Sequence, residues 1–288
     1  MSANPINAAF LAQRAAMQAK YPEQTGPGWQ GSAATVALFA GALALYVFGW
    51  WELGFSFSKI ANGLGRLADI ALLMVPPTPE TWARFWLYFE ALGQTLAIAF
   101  LGTLFAAILA FPIGFLAAKN VVANRVVHFL TRRTMDSVRS VDTLIWALIW
   151  INVVGLGPFA GALAIMCGDL GAFAKLMSEA IETADRKPVD GITATGGSRL
   201  EAIRFGILPQ ILPVIASQVL YYFESNTRSA TIIGIVGAGG IGLHLSEQIR
   251  VLEWNHASFI ILMVLVTVAL IDTVSQRLRN AIIGRRAG

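Results

Sequence analysis

Stretches without any charged residue divide this chain into segments long enough to cross a membrane. Residues 31–51 carry no charge over 21 positions, and residues 91–118 carry none over 28. A helix rises about 1.5 Å per residue and a hydrocarbon core is about 30 Å thick, so roughly 20 apolar residues suffice to cross it. These two stretches are therefore predicted to be the first and second transmembrane helices.

The remaining apolar stretches are shorter or are interrupted by charges. Residues 141–155 and 158–176 are predicted to form two short spans, packed as a hairpin around a Gly-Pro turn. A fifth span is predicted from residue 210 through residue 222, and a sixth over residues 258–271. The glycine-rich residues 231–243 are too short for a span of their own. The expected fold is all-α, with about six transmembrane helices.

Polar segments separate these spans. Residues 79–89 carry four aromatic side chains at intervals of three to four after a proline, which predicts a helix lying in the membrane interface. The chain is expected to have four parts: a cytoplasmic amphipathic segment (1–30), a first span with a periplasmic or interfacial segment (31–90), a membrane-embedded core (91–275) and a basic cytoplasmic tail (276–288).

The composition excludes a soluble protein. Of the 288 residues, 56% are hydrophobic and 13% are charged, with a mean hydropathy of +0.64. Soluble globular domains carry roughly 25% charged residues. A chain with half that share lacks the polar surface that water requires, so this is predicted to be a multi-pass membrane protein. Its one cysteine, Cys167, excludes an intramolecular disulfide.

The basic residues indicate how the chain is oriented. With six spans, sixteen of the 21 lysines and arginines fall on one side, five of them within residues 119–139 and five within residues 175–204. The positive-inside rule makes that side cytoplasmic and places both termini there. Because this asymmetry also accounts for the net charge of +4, no nucleic-acid partner is expected.

Motifs for catalysis or cofactor binding are absent or lie in the wrong context. Gly237–Gly242 matches G-x-G-x-x-G, but membrane spans flank it and no acidic residue follows about 20 positions later. Glycines in membrane segments more often allow close backbone packing. The sequence contains no P-loop, no H-E-x-x-H and no G-x-S-x-G. No catalytic residue, metal site or bound cofactor is therefore predicted.

The longest polar stretch, residues 185–210, is predicted to form two short helices on the cytoplasmic face. Pro188 suits the first turn of one helix, which a Gly-Gly pair ends. Ser198 and Glu201 have the spacing of a capping box for the second helix. Pro209 is expected to break or open the next span. A short surface helix of this kind can serve either as a contact for another protein or as an ordinary loop.

This stretch resembles the coupling loop of binding-protein-dependent ABC importer permeases, whose pattern is E-A-A-x3-G-x9-hydrophobic-x-L-P. Asp190 stands in the Glu position, Gly191 and Ile192 in the two Ala positions, and Gly196 at the Gly. Leu208 and Pro209 complete the pattern. The resemblance implies that Asp190, Gly191, Gly196, Leu208 and Pro209 couple the chain to an ATPase.

Further stretches narrow the resemblance. These stretches lie at residues 139–148, 155–161, 178–182, 223–230 and 236–242. Together they resemble the permeases of phosphonate importers and of their phosphite and hypophosphite relatives. The resemblance covers roughly residues 90–280. It implies a type I ABC importer permease fold in a bacterial inner membrane, a homodimer, two copies of an ATPase that binds ATP and magnesium, and a periplasmic substrate-binding protein. Transport would proceed by ATP-driven alternating access.

A charged pair interrupts the apolar residues after position 220. Glu224 and Arg228 are spaced i, i+4 with Glu first, the favourable order for a helical ion pair. A charge at membrane depth is expected to face a cavity or a partner. One hypothesis places this pair in the substrate pathway, with Asn226 and Ser229 as neutral donors. In the other, the pair only fixes the fifth span to its neighbours.

Two other functions are weighed against an ABC permease. An ion-coupled secondary transporter of a small anion would carry inverted repeats with paired broken helices, and no such repeat is visible. A membrane enzyme would need a cluster of catalytic residues at one depth, and the sequence shows none. The particular phosphorus oxyanion stays open at this point.

Overall fold

A computed structural model describes residues 13, 16–17, 19–20, 29–122 and 124–284. The predicted amphipathic segment and the end of the basic tail lie largely outside these residues. All regular elements within them are helical, which confirms the all-α prediction. In chain order they are α1 Trp29–Glu52, α2 Phe57–Leu73, α3 Trp82–Ala117, α4 Arg125–Arg139, α5 Thr143–Val154, α6 Pro158–Thr183, α7 Lys187–Ala194, α8 Arg199–Glu201, a π-helix Ala202–Ile207, α9 Leu208–Ile235, α10 Ile241–Arg250 and α11 Trp254–Gly284.

Five segments among the described residues are long and apolar enough to cross a membrane. The sixth candidate is the pair α4 and α5, which is bent by 86°. The prediction of about six spans is therefore confirmed. The five segments are Ala33–Glu52, Trp82–Ala117, Pro158–Thr183, Arg199–Ile235 and Trp254–Ile282.

Three boundary predictions were wrong. The two short spans predicted as a hairpin are α5 and α6. α5 is short, with 12 residues, but α6 is a full span of 26 residues, so the predicted hairpin of two short spans does not exist. The aromatic residues 82–89 are not a separate interfacial helix but the first turns of α3, which begins after the N-cap Thr81. The fifth span does not stop near residue 222, because helical structure continues from residue 199 to Ile235.

The chain divides into two compact units after Asp69. In the first unit, Trp50 lies between Phe55 and Phe57, with ring centroids 4.9 and 5.7 Å away. These aromatic contacts join the end of α1 to the start of α2. The second unit contains all the predicted functional residues.

The centre of the second unit is the packing of α3 against α6. A Cβ added to Gly102 would lie 2.7 Å from Cβ of Ile165, and one added to Gly114 would lie 2.7 Å from Cβ of Met177. Both pairs are separated by the same number of residues, so the two helices run parallel. Small residues at every fourth position of α3 let the backbones approach, as is common between membrane helices. They are Gly102, Ala106, Ala110 and Gly114.

The glycine-rich turn between α9 and α10 lies against the start of α6. Gly239 has φ +81°, and an added Cβ would lie 2.7 Å from the backbone nitrogen of Pro158. The N–H of Gly157 donates to the carbonyl of Gly237 at 3.1 Å, and the N–H of Ile241 donates to Oγ1 of Thr95 at 2.8 Å. These glycines serve close backbone packing, as the sequence indicates, and follow a helix rather than a strand.

The α3–α6 packing predicts the effect of adding one methyl group. Gly102→Ala should lower the free energy of unfolding by about 1–3 kcal/mol, because the new Cβ meets a Cβ that cannot rotate away. Gly93→Ala is the matched control, since nothing lies within 4 Å of its added Cβ on the same helix. Thermal unfolding in detergent micelles measures both. Equal stability of the two variants would contradict this packing.

Candidate functional site

The first of the two short helices predicted within residues 185–210 is present as α7. Pro188 lies in its first turn, and the helix ends in a Schellman motif. The N–H of Gly197 donates to the carbonyl of Ile192 at 3.0 Å, and that of Gly196 to the carbonyl of Thr193 at 3.0 Å. Gly196 has φ +86° with no atom within 4 Å of an added Cβ. Glycine is needed here for its backbone conformation and not for space.

α7 has an inner and an outer face. An added Cβ on Gly206 would lie 3.0 Å from Cγ2 of Val189, and one on Gly197 would lie 2.6 Å from Cγ2 of Ile192. These two side chains, three positions apart, pack against the rest of the chain. Asp190 and Gly191 are exposed on the outer side, with nothing near an added Cβ at Gly191. The outer face is available to a partner.

A pair of hydrogen bonds ties the start of this region to α9. The N–H of Asp185 donates to Oε1 of Gln210 at 3.0 Å, and Nε2 of Gln210 donates to the carbonyl of Asp185 at 3.0 Å. Nε2 also donates to the carbonyl of Gly206 at 2.7 Å. Together with the Val189–Gly206 approach, these contacts join α7 to the base of α9. Sequence reasoning missed Gln210, although a glutamine beside a proline in an apolar run was a usable signal.

The second predicted short helix is only partly correct. The capping box is confirmed, since Ser198 and Glu201 exchange hydrogen bonds through side chain and backbone. The helix that it starts does not end, however. It passes through the π-helix into α9, and Pro209 lies in the first turn of α9 without breaking the chain direction. Leu208 is half-buried there, and Pro209 is exposed.

The predicted ion pair exists, and a second arginine joins it. Arg228 lies 3.5 Å from Oε1 of Glu224, and Nη2 of Arg279 in α11 lies 3.1 Å from Oε2 of the same carboxylate. Glu224 is buried, whereas the side chain of Arg228 is 50% exposed. One carboxylate thus faces two guanidinium groups, which leaves a positive excess around it. Arg279 had been assigned to the basic tail, and its pairing could not be seen from sequence.

Asn226 lies on the opposite side of α9 from this pair. Its Nδ2 donates to Oγ1 of Thr103 at 2.8 Å and to Oδ2 of Asp169 at 2.5 Å, which joins α9 to α3 and α6. Both amide hydrogens are therefore in use. Within the described part of the chain, Ser229 donates to the carbonyl of Ser225, at 3.5 Å. The structure brings Glu224 and Arg228 together and leaves the two neutral donors apart from them.

The sequence did not associate Asp169 with Asn226. A carboxylate inside an apolar helix is itself a signal of a polar partner within the bundle. Asp169 lies in the middle of α6. Its partner on α9 depends on how the two helices pack, which the sequence pattern does not show.

Comparisons with known proteins agree with this architecture. A family model described as binding-protein-dependent transport system inner membrane component matches residues 110–287. The putative phosphite transport system permease protein HtxC of Stutzerimonas stutzeri is 38% identical over 241 residues, which cover 84% of each chain. The phosphite transport system permease protein PtxC of the same organism is 32% identical, over 88% of this chain and 91% of that one.

The fold also matches a solved transporter. A chain of the inward-facing methionine ABC transporter MetNI superposes with a TM-score of 0.61 at 20% identity, over 70% of this chain and 99% of that chain. The predicted type I importer permease fold is confirmed, and nothing favours an ion-coupled secondary transporter. The family match covers more than half of the sequence and includes α7, α9 and the ion pair. This chain belongs to the inner membrane components of binding-protein-dependent transport systems.

Proposed function

We propose that this permease moves phosphite, a phosphonate or a related phosphorus oxyanion into the cytoplasm. The observation that carries the proposal is its similarity to two phosphite permeases over more than four fifths of both chains. The positive excess around Glu224 supports it, because an anion that crosses the bundle needs compensating charge. A guanidinium can offer two parallel donors to phosphoryl oxygens.

The proposed partners follow from the family. Two copies of this chain form the pathway, two copies of a separate ATPase bind ATP and magnesium, and a periplasmic protein delivers the substrate. The exposed outer face of α7, with Asp190 and Gly191, receives the ATPase. This chain contributes transport and no catalysis of its own.

α9 provides the proposed route from ATP hydrolysis to the pathway. It is held at its base by Gln210 and carries Arg228 eighteen residues further along, about 27 Å away. The hydrogen bonds within a continuous helix make it stiff along its axis, so we expect a displacement of α7 to reach the charged pair. The inner end of the pathway would open and close as the ATPases separate and approach.

The orientation gives a labelling prediction. With α7 in the cytoplasm and the end of α10 outside, Arg250→Cys should react with a membrane-impermeant maleimide in intact cells. Lys187→Cys should react only after permeabilisation, because the membrane shields it. Both positions are exposed, and Cys167→Ser removes the native thiol. The reverse labelling pattern would contradict cytoplasmic termini.

The Schellman glycine gives a coupling prediction. Gly196→Val should reduce uptake and its coupling to ATP hydrolysis severalfold, because a β-branched residue at φ +86° costs on the order of 1–2 kcal/mol and shifts the end of α7. Gly196→Asn is the matched control, since asparagine tolerates this conformation. Substrate-stimulated ATPase activity and uptake in proteoliposomes measure the effect. If valine and asparagine behave alike, the backbone of Gly196 has no role in coupling.

The substrate pathway is tested by uptake of labelled phosphite. Proteoliposomes that contain this permease, its ATPase and the binding protein should take up phosphite but not methionine. ATP is supplied on the side of the membrane that carries the ATPase. Arg228→Lys should assemble and hydrolyse ATP yet lose most uptake, about tenfold or more, because an ammonium cannot present paired donors. Arg279→Lys is the comparison, since Arg279 is less exposed and joins two helices.

The outcomes separate the two hypotheses for the pair. If Arg228 only fixes α9 to its neighbours, Arg228→Lys should keep near-normal uptake, because lysine can still pair with Glu224. Loss of assembly in both arginine variants would likewise assign the pair to structure. Uptake lost only in Arg228→Lys supports the pathway.

A further inference from the structure

A cavity of about 580 Å³ lies beside the first half of α4, at the end of the bundle that also holds α7. Among the described residues, its lining includes three basic side chains, two apolar ones and no acidic one: Lys119, Val122, Arg125, His128 and Phe129. Its size is within the range of small-ligand sites. The turn at residues 119–122 is fixed beside it, because Glu182 accepts from the N–H of Lys119 at 2.8 Å and Arg199 donates to the carbonyl of Val121.

The basic groups at this cavity have no partners within the described part of the chain. Lys119 and Arg125 form no ion pair there, and Nε2 of His128 is buried without a hydrogen-bond partner. Other arginines of α4 are paired: Arg132 lies 2.8 Å from Glu182, and Arg133 lies 3.8 Å from Asp136. A buried polar atom without a partner is costly, so the buried Nε2 of His128 points to a ligand at this cavity. The two exposed, unpaired cations beside it favour an anionic ligand.

The neighbouring surface of α4 is apolar. Val126, Phe129 and Leu130 are 64%, 56% and 57% exposed, at the i, i+3, i+4 spacing of one helix face. A helix that combines basic residues with such a face is typical of the boundary between lipid headgroups and acyl chains. The feature that distinguishes this cavity from a simple phosphate site is this apolar surface beside the cations.

We propose that the cavity binds the phosphodiester headgroup of an anionic phospholipid, with Lys119, Arg125 and His128 facing the phosphate and the acyl chains along Phe129 and Leu130. Charge complementarity supports this occupant, since the lining residues that the structure describes carry cations and no carboxylate. With the proposed orientation, this lipid belongs to the inner leaflet. The binding site itself does not depend on that orientation. Binding would hold α4, and through it α6, at a defined depth in the membrane.

Native mass spectrometry of the purified permease–ATPase complex tests the proposal, with phosphatidylglycerol and phosphatidylethanolamine as probes. The wild-type complex should bind phosphatidylglycerol more tightly. Lys119→Gln combined with Arg125→Gln should weaken that binding more than tenfold, because each basic residue near the surface contributes about fivefold. The double variant should bind phosphatidylethanolamine as the wild type does. Phosphite uptake is measured separately, in vesicles of neutral lipid.

Two control variants make the result specific. Arg133→Gln removes an exposed charge from the same helix outside the cavity and should change binding less than twofold. Lys119→Arg combined with Arg125→Lys keeps both charges and should retain binding. Thermal unfolding verifies that all variants fold, which is expected because both cavity cations are exposed.

Several results would overturn the proposal. Equal affinity of the wild type for the two lipids would do so without any variant. An effect of Arg133→Gln as large as that of the double variant would show only a general charge effect. Displacement of phosphatidylglycerol by millimolar inorganic phosphate would assign the cavity to a free anion, and loss of the ATPase from the double variant would assign it to a protein contact. None of these results depends on whether phosphite is the transported substrate.

Discussion

The close parallel packing of α3 and α6 determines the arrangement of the rest of the bundle. Their backbones approach at Gly102 and Gly114, where a Cβ would meet the opposite helix. Two consecutive long helices that run in the same direction require the chain to return between them. The bent pair α4 and α5 makes that return. It consists of the polar helix α4 followed by the short apolar helix α5.

Two buried polar side chains of α9 find their partners on other helices. Asn226 bonds to Thr103 and Asp169, and Glu224 bonds to Arg279. Because Asn226 and Glu224 are buried, each needs such a partner, and the bonds hold α9 in one rotation about its axis. That rotation leaves Arg228 half-exposed. The same contacts that stabilise α9 thus decide which of its polar side chains remains exposed.

α9 connects the two candidate functional regions. Its base is joined to α7 through Gln210 and Gly206, and its middle carries the charged pair. The π-helix at residues 202–207 lies where α7 packs, and such elements occur frequently at functional sites. A single continuous helix therefore joins the surface region around α7 to the charged pair.

The sequence alone determined the class, the number of spans, the surface helix α7 and the Glu224–Arg228 pair, because uncharged stretches, capping residues and i, i+4 spacing act over short distances along the chain. It did not determine that residue 209 lies in a continuous helix or that α6 is a full span, since the surrounding packing tolerates Pro209 and Asp169 where local preference does not. Only the tertiary structure decided that Arg279 joins Glu224 and that Asn226 faces α3 and α6. These pairs are 55 or more residues apart, and the relative rotation of packed helices, which no local pattern encodes, brings them together.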